Sequence, residues 1–140
     1  MAVNPVANPS FAARMPALQV AEEKYSAYLG FDAQGIRVYF RGTISTVNPA
    51  VVLNPFVDAV HAHVLEANAQ EIRVDLTGLE FCNSSGFKSF IHWIERIQQT
   101  PEPKRYRLRF LSTKERKWQR TSLLALSCYG INIVAIDGAA

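Results

Sequence analysis

Cysteine, histidine and long apolar runs are all scarce in this sequence, and each shortage excludes a class of protein. Only Cys82 and Cys128 occur in 140 residues, too few for a disulfide scaffold. Both flank or lie within apolar stretches, where a free thiol packs as a small hydrophobe, so a reducing compartment is expected. The three histidines are His61, His63 and His92, and no Cys or His spacing of a zinc site is present. His61 and His63 lie two apart on a predicted helix, point to different faces and cannot share one metal. Neither a metal nor a cofactor is expected. No stretch approaches the roughly 18 consecutive apolar residues that span a bilayer, and the first residues lack the basic region and apolar run of a secretory signal. A cytoplasmic protein with no membrane span is expected.

What remains is 49% hydrophobic and 19% charged, the balance of a single globular core. The formal charge of +3 is unevenly spread, since eight of the fifteen Lys and Arg residues fall between Lys104 and Arg120. Residues 1–23 hold prolines at 5, 9 and 16 among small residues and no periodicity, so they read as an extended or disordered arm. The folded domain is assigned to 24–138.

Tyr25–Phe31 and Ile36–Phe40 flank the turn material Asp32–Gly35 and predict a hairpin, with Gly42 ending its second strand. Asn48-Pro49 and Asn54-Pro55 each offer an N-cap followed by proline in a first helical turn. A helix should run from there to about Asn68, with Phe56, Val57, Val60 and Val64 as its apolar stripe. Ile72–Leu76 alternates as a strand and is followed by the apolar step Leu79–Cys82. Phe87, Phe90, Ile91, Ile94 and Ile97 then share one side of a helix through Gln98, with Lys88, His92, Glu95 and Arg96 opposite. Pro101 and Pro103 stop it. Tyr106, Leu108 and Phe110 alternate with arginines in another strand. Ser112 and Glu115 have capping-box spacing and predict a helix through Leu126, closed by Gly130. Ile131–Ile136 should be a last buried strand. This order predicts an α/β domain with a mixed central sheet and helices packed mainly on one face.

Between the apolar step and the next helix stands Asn83-Ser84-Ser85-Gly86. A hydroxyl there sits where the first helical N–H groups lack internal partners and the helix dipole favours negative charge. A phosphate would be held with little disturbance and would add about −1.5 to −2 charges to the surface, enough to expel an apolar or acidic partner. The plainer reading is an N-cap serine with a glycine easing the turn.

The run Ile72–Phe87, with its strand, its apolar step and Asn83-Ser84-Ser85-Gly86 before a helix, resembles the core of STAS domains, the anti-sigma-factor antagonist group, where the tetrapeptide is Asp-Ser-Ser-Gly. Arg41-Gly42-Thr43-Ile44 also resembles the glycine-containing end of that family's second strand, and the order of elements agrees over about Tyr25 to Asp137. The resemblance implies a non-enzymatic, partner-switching signalling protein in transcription regulation. Its unphosphorylated form would bind a regulatory serine kinase or anti-sigma factor, or a related signalling protein, and that kinase would phosphorylate Ser84. Asn83, Ser85, Gly86 and, on the following helix, Lys88, Ser89, His92, Trp93 and Arg96 would form the partner surface. Lys88, Ser89, His92 and Arg96 are read as its outward residues, with Trp93 at the edge of the apolar stripe. Asn83 stands where the family has Asp, so one negative charge beside the serine is missing. The second reading is therefore an unphosphorylated STAS scaffold or sensor subunit of a signalling complex.

Nucleic-acid binding through the 104–120 basic stretch, with Tyr106 and Trp118 stacking on bases, is a third reading. Against it, Arg105, Arg107 and Arg109 alternate with core residues as an exposed strand face does. Trp118 either anchors a partner or packs the third helix on the sheet. A catalytic pair of Ser84 and His92 is excluded by spacing, since two helical turns separate them by roughly 12 Å where a general base needs about 3 Å.

Overall fold

A computed structural model describes residues 15–137. Six strands form one sheet in chain order: β1 Gln19–Ala21, β2 Tyr25–Asp32, β3 Gly35–Ile44, β4 Glu71–Cys82, β5 Arg107–Leu111 and β6 Val134–Asp137. The first three are antiparallel, and β3 through β6 are parallel. Each parallel step is bridged by a helix: α1 Ala50–Ala67, α2 Ser84–Gln98 and α3 Lys117–Tyr129. Three crossovers of one hand, advancing in one direction across the sheet, place all three helices on the same face. The mixed α/β architecture expected from the pattern is therefore present.

The strands carry that asymmetry in their alternation. Val38 and Phe40, Ile72 and Val74, and Leu108 and Phe110 are buried under the helices. They meet Phe56, Val57, Val60 and Val64 of α1, Phe90, Ile94 and Ile97 of α2, and Leu123 and Leu126 of α3 in one core. Phe90 stands edge-on to both Phe40 and Phe110, a geometry that adds about 0.5–1.5 kcal/mol per pair beyond burial. On the bare face Tyr28 stacks on Tyr39 at 4.7 Å, and Arg73 pairs with Asp32. Arg37 reaches the nearly buried Asp75 at 2.6 Å. Burial pushes the Asp75 carboxyl up, but hydrogen bonds from Thr77 and Arg37 outweigh it and hold the group below its ordinary value.

Several boundaries depart from expectation. Residues 15–23 do not belong to a loose arm: Met15–Leu18 form a 3-10 turn, Leu18 is buried, and β1 pairs with β2. Residues 1–14 of the expected arm lie outside the described residues. Gly42 does not end β3. It sits inside the strand at φ +93°, where a Cβ would fall 2.3 Å from the Lys24 carbonyl oxygen, and Thr43 N–H donates to that same oxygen at 2.8 Å. Asn54-Pro55 does not start a helix, because α1 begins at Ala50 behind Pro49. Pro55 lies on the exposed side of its second turn, where the Val51 carbonyl it leaves unbonded can be taken by water.

Ser112 and Glu115 form no capping box. The Ser112 hydroxyl donates to the Asp137 carbonyl at 3.2 Å, and α3 starts at Lys117. The last strand is shorter than expected and only half-buried, with Ile131 exposed in the preceding turn. Cys82 is buried as expected, whereas Cys128 is exposed on α3.

Candidate functional site

Strand β4 is two residues longer than β3 over the same span. Tyr39 pairs with Asp75, Arg41 with Gly78, Gly42 with Leu79 and Thr43 with Phe81, so two bulges lie on β4. Such insertions re-aim the end of a strand, here the end that delivers Asn83. The bulged backbone is held from α3: the fully buried Gln119 donates through Nε2 to the Leu76 carbonyl at 2.7 Å and the Leu79 carbonyl at 3.0 Å. Trp118 donates through Nε1 to the Glu80 carbonyl at 2.9 Å and stands edge-on to Phe87. Of the two roles open to Trp118, packing of the third helix on the sheet is the one the geometry carries.

Asn83 caps α2. Its Oδ1 accepts from the Gly86 N–H at 2.7 Å, satisfying one of the free donors of the first turn. Its Nδ2 donates to the Thr46 carbonyl at 2.9 Å and its backbone N–H to the Ile44 carbonyl at 2.9 Å. An aspartate could fill the first role but not the second, since a carboxylate has no proton to donate. Gly86 is required by packing: a Cβ there would lie 2.7 Å from Cys82 Sγ and 2.8 Å from Ile44 Cγ2. Ser84 is the first residue of α2 and is exposed, while Ser85 is half-buried. Neither seryl hydroxyl is engaged by another side chain among the described residues.

The helix surface differs from the expected one. Lys88 is exposed, but Ser89 and Trp93 are 2% and 0% exposed. Ser89 donates to Asn54 Oδ1 at 2.8 Å, and Trp93 donates to the Tyr106 hydroxyl at 2.8 Å. The cause is α1, which lies along α2 and covers the face that periodicity left polar. His92 and Arg96 stay at the surface but are turned toward α1, at 2.7 Å and 3.4 Å from Asp58 Oδ1. Sequence reasoning missed three exposed apolar residues on this side of the molecule: Val47 beside the carbonyl that Asn83 binds, Val51 in the first turn of α1, and Phe81 on β4. A signal was available at Val47, which stands alone between Thr46 and Asn48-Pro49, but not at Val51, which lies inside the apolar run Ala50–Leu53.

The stacking surface required for nucleic acid is not formed. Tyr106 is buried, and Arg105 and Arg109 are bound to protein carbonyls and to Glu71. Among the described residues no group of three or more His, Cys, Asp or Glu side chains is placed to hold a metal ion, and no helix is long and apolar enough to cross a membrane.

No protein-family model matches the chain, and no curated protein matches it.

Proposed function

We propose that this chain is a STAS-type, non-enzymatic partner-switching protein that docks a serine kinase or anti-sigma factor at the edge where β4 meets α2, with Ser84 as phospho-acceptor. The observation that carries the reading is the division of labour in the turn. Asn83 supplies the cap, Gly86 supplies the close approach of helix to strand, and Ser84 is left outward with no structural task. A phosphate on it would meet the positive end of the helix dipole. Lys88 is four residues on and on the same helical face. The exposed Val47, Val51 and Phe81 give a partner apolar surface to bury, and a phosphate beside them makes that burial unfavourable.

A second reading, an unphosphorylated scaffold or sensor subunit, is favoured by Asn83, whose bond to the Thr46 carbonyl replaces the acid of the family motif. Affinity capture with the wild type and with Ser84→Asp separates the two. In the switching reading a kinase copurifies with the wild type, is lost with Ser84→Asp, and transfers one phosphate from ATP to the wild type but none to Ser84→Ala. Stable multi-subunit complexes indifferent to both substitutions would establish the scaffold instead.

A further inference from the structure

Ser84 follows the carboxyl end of β4, and a cleft of about 500 Å³ opens at the opposite end of the parallel strands. It is walled by the end of α2, the segment before β5 and the turn before β6. Its floor is Tyr106 and Ile133, both buried, and Ile131, 72% exposed, forms an apolar rim. One wall is fixed, because Arg105 donates to the Thr100 carbonyl at 2.8 Å and the Gln98 carbonyl at 2.7 Å and so closes the last turn of α2. Two further charged side chains line the cleft, Arg107 and Glu102. Among the described residues neither is engaged in a hydrogen bond or ion pair, with each other or with any neighbour. This contrasts with Arg37, Arg73 and Arg109 on the sheet, each of which has an acidic partner.

An unpaired guanidinium and an unpaired carboxylate in one concavity, beside an apolar rim, match a ligand with both kinds of group. We propose that this cleft binds a small molecule carrying a carboxylate and, on the adjacent carbon, an amino or hydroxyl group: an α-amino acid or an α-hydroxy acid. Arg107 takes the carboxylate through two parallel N–H donors, a geometry that lysine does not offer. Glu102 accepts from the amino or hydroxyl group, and Ile131 covers an apolar side chain of the ligand. The volume falls within the range of small-molecule sites. Arg105 and Arg107 against Glu102 leave the cleft net positive, so the carboxylate is the obligatory half of the ligand. Gln98 lies fourteen residue steps after Ser84 along α2, roughly 21 Å of helix, so the ligand does not touch the docking edge.

The test is an amide-resolved NMR titration of the full chain with L-leucine, its α-hydroxy analogue and leucinamide, followed by the other proteinogenic amino acids. Saturable shifts confined to residues around Gln98, Asn132 and Ile133 are expected with an acid and absent with leucinamide. Arg107→Gln should weaken binding by about tenfold or more while leaving the rest of the spectrum in place. Glu102→Gln should weaken the amino acid more than the hydroxy acid, because it removes the charge that faces the ammonium group and keeps an acceptor for a hydroxyl; equal affinities in the two forms would overturn the role of Glu102. Ser84→Ala and Ser84→Asp should bind as the wild type does, so this site stands or falls independently of the switch. Absence of saturable shifts for every acid at about 10 mM, or binding unchanged in Arg107→Gln, would overturn it.

Discussion

The Trp93 indole N–H donates to the Tyr106 hydroxyl at 2.8 Å, and that hydroxyl lies 2.8 Å from Nδ1 of His61, so every donor is satisfied when the hydroxyl gives its own proton to Nδ1. The direction of the whole chain follows. His61 carries its proton on Nε2, facing the Thr100 hydroxyl at 3.4 Å, and that hydroxyl donates to the Arg96 carbonyl at 2.9 Å. Each donor in this buried run has an acceptor, which is the condition under which such networks stabilise.

Protonating His61 would set a second N–H against the Tyr106 hydroxyl. Burial holds the imidazole below its ordinary value, Arg96 and His92 push in the same direction, and Asp58 opposes them. A base lowered in the folded state binds fewer protons there than in the unfolded chain, so its contribution is complete above about pH 6.5 and is lost as pH falls toward the folded-state value. Urea unfolding at a series of pH values should show stability declining below about pH 6.5, and His61→Gln should flatten that part of the curve. Tyr106→Phe, which strands the Trp93 donor, should cost about 1–3 kcal/mol.

At the turn from β4 into α2, Asn83→Asp keeps the cap to Gly86 and gains up to about 1 kcal/mol from the helix dipole. It also loses the bond to the Thr46 carbonyl, about 0.5–1.5 kcal/mol. The two nearly cancel, so the unfolding midpoint should move little. The amides of residues 45–48 should nevertheless exchange with solvent faster than in the wild type. Unchanged protection there would show that the amide of Asn83 does not hold this loop.

Gly86→Ala gains about 1 kcal/mol of helix propensity and forces a methyl group against Cys82 Sγ and Ile44 Cγ2. Overpacking of this kind costs about 1–3 kcal/mol, so the variant should be the less stable in denaturant titration. A more stable Gly86→Ala would show that α2 can move off the end of β3 without loss.

The two thiols should differ in reactivity. Burial pushes Cys82 up to about 12, while Cys128 is exposed. Because the thiolate is the reacting species, iodoacetamide near pH 8 should modify Cys128 alone, as read by intact mass, and Cys82 only in denaturant. Equal labelling rates would contradict the burial of Cys82.

The α/β order and most core positions were legible because apolar periodicity reports burial directly: Phe56, Val57, Val60 and Val64 form one stripe and all four are buried. Ser89 and Trp93 were misread because helical phase locates only one buried face. α2 has two, one on the sheet and one on α1. The start of α3 was misplaced because Ser112 bonds to β6, a partner distant in sequence. The tetrapeptide around Ser84 stood out, but the division of roles within it did not. That depends on Thr46, Ile44 and Cys82 being brought to it by the parallel pairing of β3 with β4. Unpaired Arg107 and Glu102 left no trace in sequence, where they read as members of a charge run.

Strand order equal to chain order has a consequence for synthesis. As the polypeptide leaves the ribosome, every strand after the first can join a neighbour already placed, and no gap waits in mid-sheet for a late arrival. The end of β4 is the exception. The bulged strand is complete at Cys82, yet the carbonyls of Leu76 and Leu79 find their donor only when Gln119 has been made and α3 has folded back. A nascent chain therefore pairs most of its strands before the strand end that leads to Ser84 is fixed, a step that waits until α3 has been made.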